Sequence, residues 1–156
     1  MIQFSFETPS PESPWWQKTW DSVYRTEPAT IDEMSLRYKY FGVRPRLVVD
    51  GVAVMSGESH VPLVDLALSL RFALHRLSSG EDAAIGFTES DRVIHLQQEE
   101  RVIAITSSDS EWRTTVDSEA LKASFVTFVR EAHSRLIAHC PELACNASIQ
   151  KLREIA

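Results

Sequence analysis

The segment from Val61 to Leu77 restricts most what this chain can fold into. Leu63, Leu66, Ala67, Leu70, Leu74 and Leu77 recur at helical spacing, and Val64, Leu68 and Phe72 widen the apolar stripe beyond one side. A helix of this kind, over about residues 61–78, has to be covered around most of its circumference, which places it centrally, across a sheet. Asp65, Arg71, His75 and Arg76 interrupt it, so it is no membrane span, which needs about 20 mostly apolar residues. Ser59 or a neighbour opens it, with Pro62 in the first turn, and Gly80 after Ser78-Ser79 suits a left-handed cap.

The flanking segments supply the sheet. Ile2, Phe4 and Phe6 alternate with Gln3, Ser5 and Glu7, and Leu36, Tyr38 and Tyr40 alternate with Arg37 and Lys39, so both read as strands with one apolar face. Between Leu47-Val48-Val49 and Val52-Ala53-Val54, Asp50-Gly51 predicts a two-residue hairpin, since a type I′ turn needs positive φ at both central positions. Residues 83–88, 93–97, 102–106 and 112–116 read as four short strands joined by polar turns, an antiparallel meander. A short helix over 14–25 is expected after Ser13-Pro14, a long one over about 117–140 capped by Asp117, and a last one over about 147–154. In the long helix, Leu121, Phe125, Phe128, Ala132 and Leu136 line one face, Glu131 and Arg135 pair outside, and Cys140-Pro141 ends it. The reading is one α+β domain over 1–156, with a single antiparallel sheet, the central helix and the C-terminal helices packed on it.

A chain of 156 residues can bury a core without disulfides or metal. Cys140 and Cys145 are too few for a disulfide framework. Met1 to Glu7 carries no export-signal pattern, so a cytoplasmic protein is expected, and Asn146-Ala147-Ser148 is read as a chance sequon. The net charge of -6 argues against nucleic-acid and membrane partners, both of which call for a basic face.

The search for chemistry is mostly one of elimination. The five glycines are isolated, with no phosphate-loop pattern. His60, His75, His95, His133 and His139 form no H-E-x-x-H, and His139-Cys140 with Cys145 lacks a fourth ligand, so neither metal nor cofactor is expected. No serine sits in a G-x-S-x-G elbow, and adjacent carboxylates such as Glu99-Glu100 lie in turns. No catalytic residue is assigned and the chain is not read as an enzyme.

Two features survive. Trp15, Trp16, Trp20 and Tyr24 crowd into ten residues; Trp16 and Trp20, four apart, dock the short helix on the core, and Trp15 is the exposed one, a partner-binding candidate. The charge is also concentrated. Glu81, Asp82, Glu89, Asp91, Glu99, Glu100, Asp109 and Glu111 stand against only Arg92 and Arg101, which accounts for the whole net charge. In a meander, Glu89 and Asp91 fall at one end and Glu99-Glu100 at the other, with Glu81-Asp82 and Asp109 to Glu111 near that second end. These carboxylates read either as a solubilising rim or as a face for a basic partner.

Val49-Asp50-Gly51-Val52, then Val61-Pro62-Leu63-Val64-Asp65-Leu66-Ala67 and Leu70, with a strand-rich half containing Trp112 after them, resemble α+β immunity proteins of bacterial polymorphic toxins, of the contact-dependent growth inhibition type. The resemblance covers half the chain and is one of fold. Where such a core helix usually ends near a tryptophan, this one has Phe72, Leu74 and His75, and no partner-contacting residue carries over by motif. What it implies is a cytoplasmic inhibitor that binds and blocks a cognate toxin domain, many of which are basic nucleases. Two other classes stay open: a small-molecule binder or enzyme with a pocket holding His95 or His133, and an adaptor that self-associates around Trp15.

Overall fold

The structure, a computed structural model, describes residues 1–88 and 90–154. Its class is the expected α+β. Strand β1 (Ile2–Glu7) leads into a helical stretch that changes pitch, π-helical over Trp16–Trp20 and 3₁₀ over Asp21–Arg25. Ser13 starts it: its hydroxyl accepts from the Trp15 N–H at 3.1 Å and its carbonyl from Trp16 at 3.1 Å. The segment expected as a strand over 36–40 is instead helix α1 (Glu33–Tyr38). The alternation of Leu36, Tyr38 and Tyr40 is overruled by a local cap, with the Asp32 carboxylate accepting from the Ser35 N–H at 3.3 Å.

Strands β2 (Gly42–Val49) and β3 (Val52–Ser56) form the expected hairpin, with φ of 48° at Asp50 and 83° at Gly51. Ser59 does not open the central helix. Val61–Pro62 instead pairs with Gly42 and Val43 as a two-residue strand, β4, and α2 runs Leu63–Ser78. Gly80 takes the left-handed conformation after it, at φ 79°. The meander follows as β5 (Ala83–Gly86), β6 (Val93–Glu99), β7 (Val102–Ser107) and β8 (Arg113–Asp117). Helix α3 (Ser118–His139) is capped by Asp117, whose carboxylate accepts from Ala120 N–H at 2.9 Å, and α4 spans Ala147–Arg153.

The expected single sheet is in fact two. β1-β2-β3, with β4 beside β2, form one, and β5-β6-β7-β8 the other. The reason lies at the β3 edge. A bulge between the Leu47↔Met55 and Val48↔Ala53 pairs leaves Val54 as the extra residue. Its carbonyl is taken by the Arg92 guanidinium rather than by another strand. At this edge a side chain, not a ladder, bridges the two sheets.

α2 packs on α3, on α1 and on the start of β5. Ten of its residues are buried, including Asp65, whose carboxylate receives Arg37 Nε at 2.8 Å and so ties α1 to α2. Phe72 is the departure from the expected stripe, at 62 % exposure. Two positions beyond Leu70 it is rotated by about 200°, onto the face of solvent-exposed His75. α3 lays Phe125 and Phe128 against Phe4 of β1, with ring centroids 5.9 and 4.1 Å apart. The expected Glu131–Arg135 pair is absent among the described residues: Arg135 turns to Thr8 Oγ1 at 3.1 Å and lies over the Phe6 ring.

Candidate functional site

The acidic residues do not form one face. Asp91, just before β6, shares an end of the meander with Asp109 and Glu111, because the β7–β8 connection returns to the start of β6: Ser108 N–H bonds the Val93 carbonyl at 2.9 Å. This corrects the expected placement of Asp109 and Glu111 beside Glu99. The opposite end carries Glu81, Asp82, Glu99 and Glu100, as expected for those four, with Asp82 accepting from Gln98 N–H at 2.9 Å. Glu89 lies outside the described residues. Much of the charge is also spent internally. Glu81 meets Arg76 at 3.0 Å, Glu99 takes Arg113 with both oxygens at 2.7 and 2.9 Å, and Asp109 meets Arg92 at 3.3 Å. Hydrogen bonds from Ser107 and Ser110, with the Arg92 charge, hold the Asp109 carboxyl below the usual range. Of the expected carboxylates among the described residues, Asp82, Asp91, Glu100 and Glu111 are exposed and make no ion pair.

The aromatic residues converge where the acidic ones separate. Trp20 is 1 % exposed and its indole N–H donates to the Gly42 carbonyl at 2.9 Å, while Trp16 stacks on it at 5.4 Å. Both therefore dock the segment, as their spacing suggested. Trp15 is 46 % exposed and stacks on His60 at 4.3 Å, with the rings within 10° of parallel. Tyr38, 44 % exposed, and Tyr40 complete the aromatic walls of a small cleft of about 90 Å³. Burial pushes the His60 imidazole below its ordinary pKa, and the neighbouring Arg44 charge adds to this, so the stack at neutral pH is uncharged.

The backbone that holds this cleft is unusual. Phe41, fully buried, has φ 61°, a conformation that a bulky residue adopts only under constraint. The constraint is local: Phe41 N–H bonds the Thr19 carbonyl at 2.8 Å, its own carbonyl accepts from Leu63 N–H at 2.9 Å, and Gly42 N–H bonds Thr19 Oγ1 at 3.1 Å. A Cβ on Gly42 would lie 3.3 Å from Thr19 Oγ1, tight enough to crowd the hydroxyl that Gly42 N–H bonds, and 3.6 Å from the Trp15 ring, an ordinary contact. A strained aromatic, a π-helical turn and an exposed indole thus meet at one place. Of these, only Trp15 could be singled out in the sequence.

A second, larger cleft of about 340 Å³ lies at the end of β3 and shares Val61 with the first. Ser56, Ser59, Ser90, Arg92 and Asp109 are among its walls. It has little chemistry to offer. Arg92 is committed to the Val54 carbonyl, Ser107 Oγ at 3.0 Å and Asp109, and no histidine or cysteine among its described walls could activate a serine. His95 is exposed on β6, and neither it nor His133 lines this cleft. No group of three metal-ligating side chains occurs among the described residues, and no helix there is long and apolar enough to cross a membrane. No family model, no curated protein and no solved structure matches the chain.

Proposed function

We propose that this protein binds another protein and holds it inactive, as immunity proteins do their cognate toxin domains. The observation that carries the reading is the half-exposed Trp15 stacked on His60, with exposed Tyr38 in the same cleft wall: Trp and Tyr are enriched among the side chains that dominate protein interfaces. The larger cleft adjoins this one at Val61 and has Asp109 in its wall, and Asp91 and Glu111 sit at the same end of the meander as Asp109. A basic partner, such as a nuclease domain, would be steered by those carboxylates and anchored by the aromatics.

The test is titration of the protein into a purified cytotoxic domain encoded beside its gene, followed by growth of cells producing that domain. Saturable binding together with rescued growth is expected. Absence of binding, or binding without rescue, overturns the inhibitor reading.

A further inference from the structure

A sheet edge can take up another backbone, and folded proteins usually blunt theirs. Three of the four end strands here are blunted. β3 carries the Val54 bulge with Arg92 on its carbonyl, β5 is four residues long and ends in Gly86, and β8 has a charge at each end, Arg113 and Asp117. β1 is not: over Ile2–Glu7 it has no proline, no bulge and no charge before Glu7. Asp50 N–H bonds the Met1 carbonyl at 3.0 Å, and the antiparallel alternation from there assigns the backbone groups of Gln3, Ser5 and Glu7 to β2. Ile2, Phe4 and Phe6 therefore turn their N–H and C=O groups to the outer edge, where no hydrogen bond among the described residues reaches them. Backbone groups in that state need water or a partner. Phe4 and Phe6 also stay only half-buried, although both rest on Phe128 of α3.

We infer that β1 receives one extended segment of the partner protein, added antiparallel as a further strand, with apolar side chains at alternate positions. Open N–H and C=O groups recurring at every second residue match an extended backbone. Segment residues opposite Ile2, Phe4 and Phe6 lie on the α3 side and cover the half-buried rings, while those between them face water. The residue opposite Ile2 meets a cleft of about 490 Å³ with Ile2, Val102, Val116, Ala120 and Ser124 in its walls, so it is the bulkiest. A second copy of this chain does not fit. α3 packs on β1, with Phe125 and Phe128 against Phe4. Two β1 strands paired about a twofold axis would stand about 4.8 Å apart with both α3 helices on one side, whereas packed helix axes come no closer than about 8 Å. The partner's identity rests on the inhibitor reading; the open edge does not.

The experiment follows the amide resonances and exchange rates of Ile2, Phe4 and Phe6 in the full chain. Two probes with blocked ends are added: the peptide Lys-Val-Thr-Val-Thr-Leu-Lys, and the same peptide N-methylated at both valines and the leucine. Saturable shifts and slowed exchange at these amides with the first peptide alone are expected. Ile2→Pro removes an outward donor that the fold does not use, so it should weaken binding by about tenfold with a nearly unchanged melting temperature. Ile2→Val, which keeps the donor, should bind as the parent does. No saturable change with the first peptide, equal binding of the N-methylated one, or an Ile2→Pro protein that binds as tightly as the parent overturns the inference. So does protection of Phe4 that rises with protein concentration alone, which would assign the edge to a second copy. A cytotoxic domain that binds while Phe4 and Phe6 exchange as before removes this inference alone. A peptide that protects them while no cytotoxic domain binds removes the inhibitor reading alone.

Discussion

At the scale of single residues, polar side chains buried in this fold are used as connectors. Asn146, 1 % exposed, donates to the Pro28 and Ile31 carbonyls at 2.9 Å each, and its own carbonyl accepts from the Ser148 and Ile149 N–H groups. It therefore caps α4 and pins the Pro28 loop with one amide. Asn146→Asp keeps the shape and loses both donors, setting a carboxylate against two carbonyls. It should cost about 3 kcal/mol, measured by urea unfolding. The chance reading of the Asn146 sequon fits this placement, since an amide held on both sides is not presented for modification. The histidines make a second prediction. Burial lowers the folded pKa of His60 and of His133, aided by Arg44 and Arg153 respectively. The unfolded chain then takes up protons first as the pH falls. Their contribution is complete above the unfolded histidine value of 6.5 and declines as the pH drops through it towards the folded values. The melting temperature should fall between pH 7.5 and pH 5, and the fall should be smaller in the double variant His60→Gln, His133→Gln. An equal fall would assign the acid sensitivity to other groups.

At the scale of elements, what the chain shows in its sequence is what its neighbours in sequence decide. Asp50-Gly51, Gly80 and the Asp117 cap all sit where the turn or cap chemistry requires them, because each is settled within four residues. Helix α1 was hidden by a two-residue alternation that the Asp32 cap overrides. The division into two sheets was hidden for another reason: it depends on the Val54 bulge and on Arg92, which are far apart in the chain and carry no local signal. The same holds for the candidate site. Trp15 could be read as exposed, while Tyr38 and Lys39 join it across the positive φ at Phe41 and His60 through the pairing of β4 with β2. Arg92 is the element-scale test. Its guanidinium holds the β3 edge to the second sheet through Val54, Ser107 and Asp109, and it lies 5.9 Å from the Phe87 ring centroid. Arg92→Ala should cost about 2 kcal/mol and speed amide exchange in β3 more than in β6. Arg92→Lys should recover only part, because an ammonium cannot reproduce the planar fork.

At the scale of the molecule, the net charge of -6 divides into regions with different consequences. One end of the meander has Glu81 and Glu99 neutralised by Arg76 and Arg113, leaving Asp82, which accepts from Gln98 N–H, and Glu100 at the hairpin tip without an ion pair. The other end has Asp91 and Glu111 bare at the same end as Asp109, which lines the larger cleft, and that cleft shares Val61 with the one beside Trp15. Bare charges at the rim of an interface act mainly on the rate of encounter, and their effect weakens with salt. Only the end adjoining the aromatic surface should steer a basic partner into register. In stopped-flow mixing with the cytotoxic domain at low salt, the double reversal Asp91→Lys, Glu111→Lys should slow association by about tenfold and leave dissociation nearly unchanged. Glu100→Lys should alter neither rate, although it removes the same kind of charge. Trp15→Ala should do the opposite of the double reversal, accelerating dissociation with little change in association. If Glu100→Lys slows association as much as the double reversal, the partner is attracted by total charge, and the end of the meander beside Trp15 has no special part in orienting it.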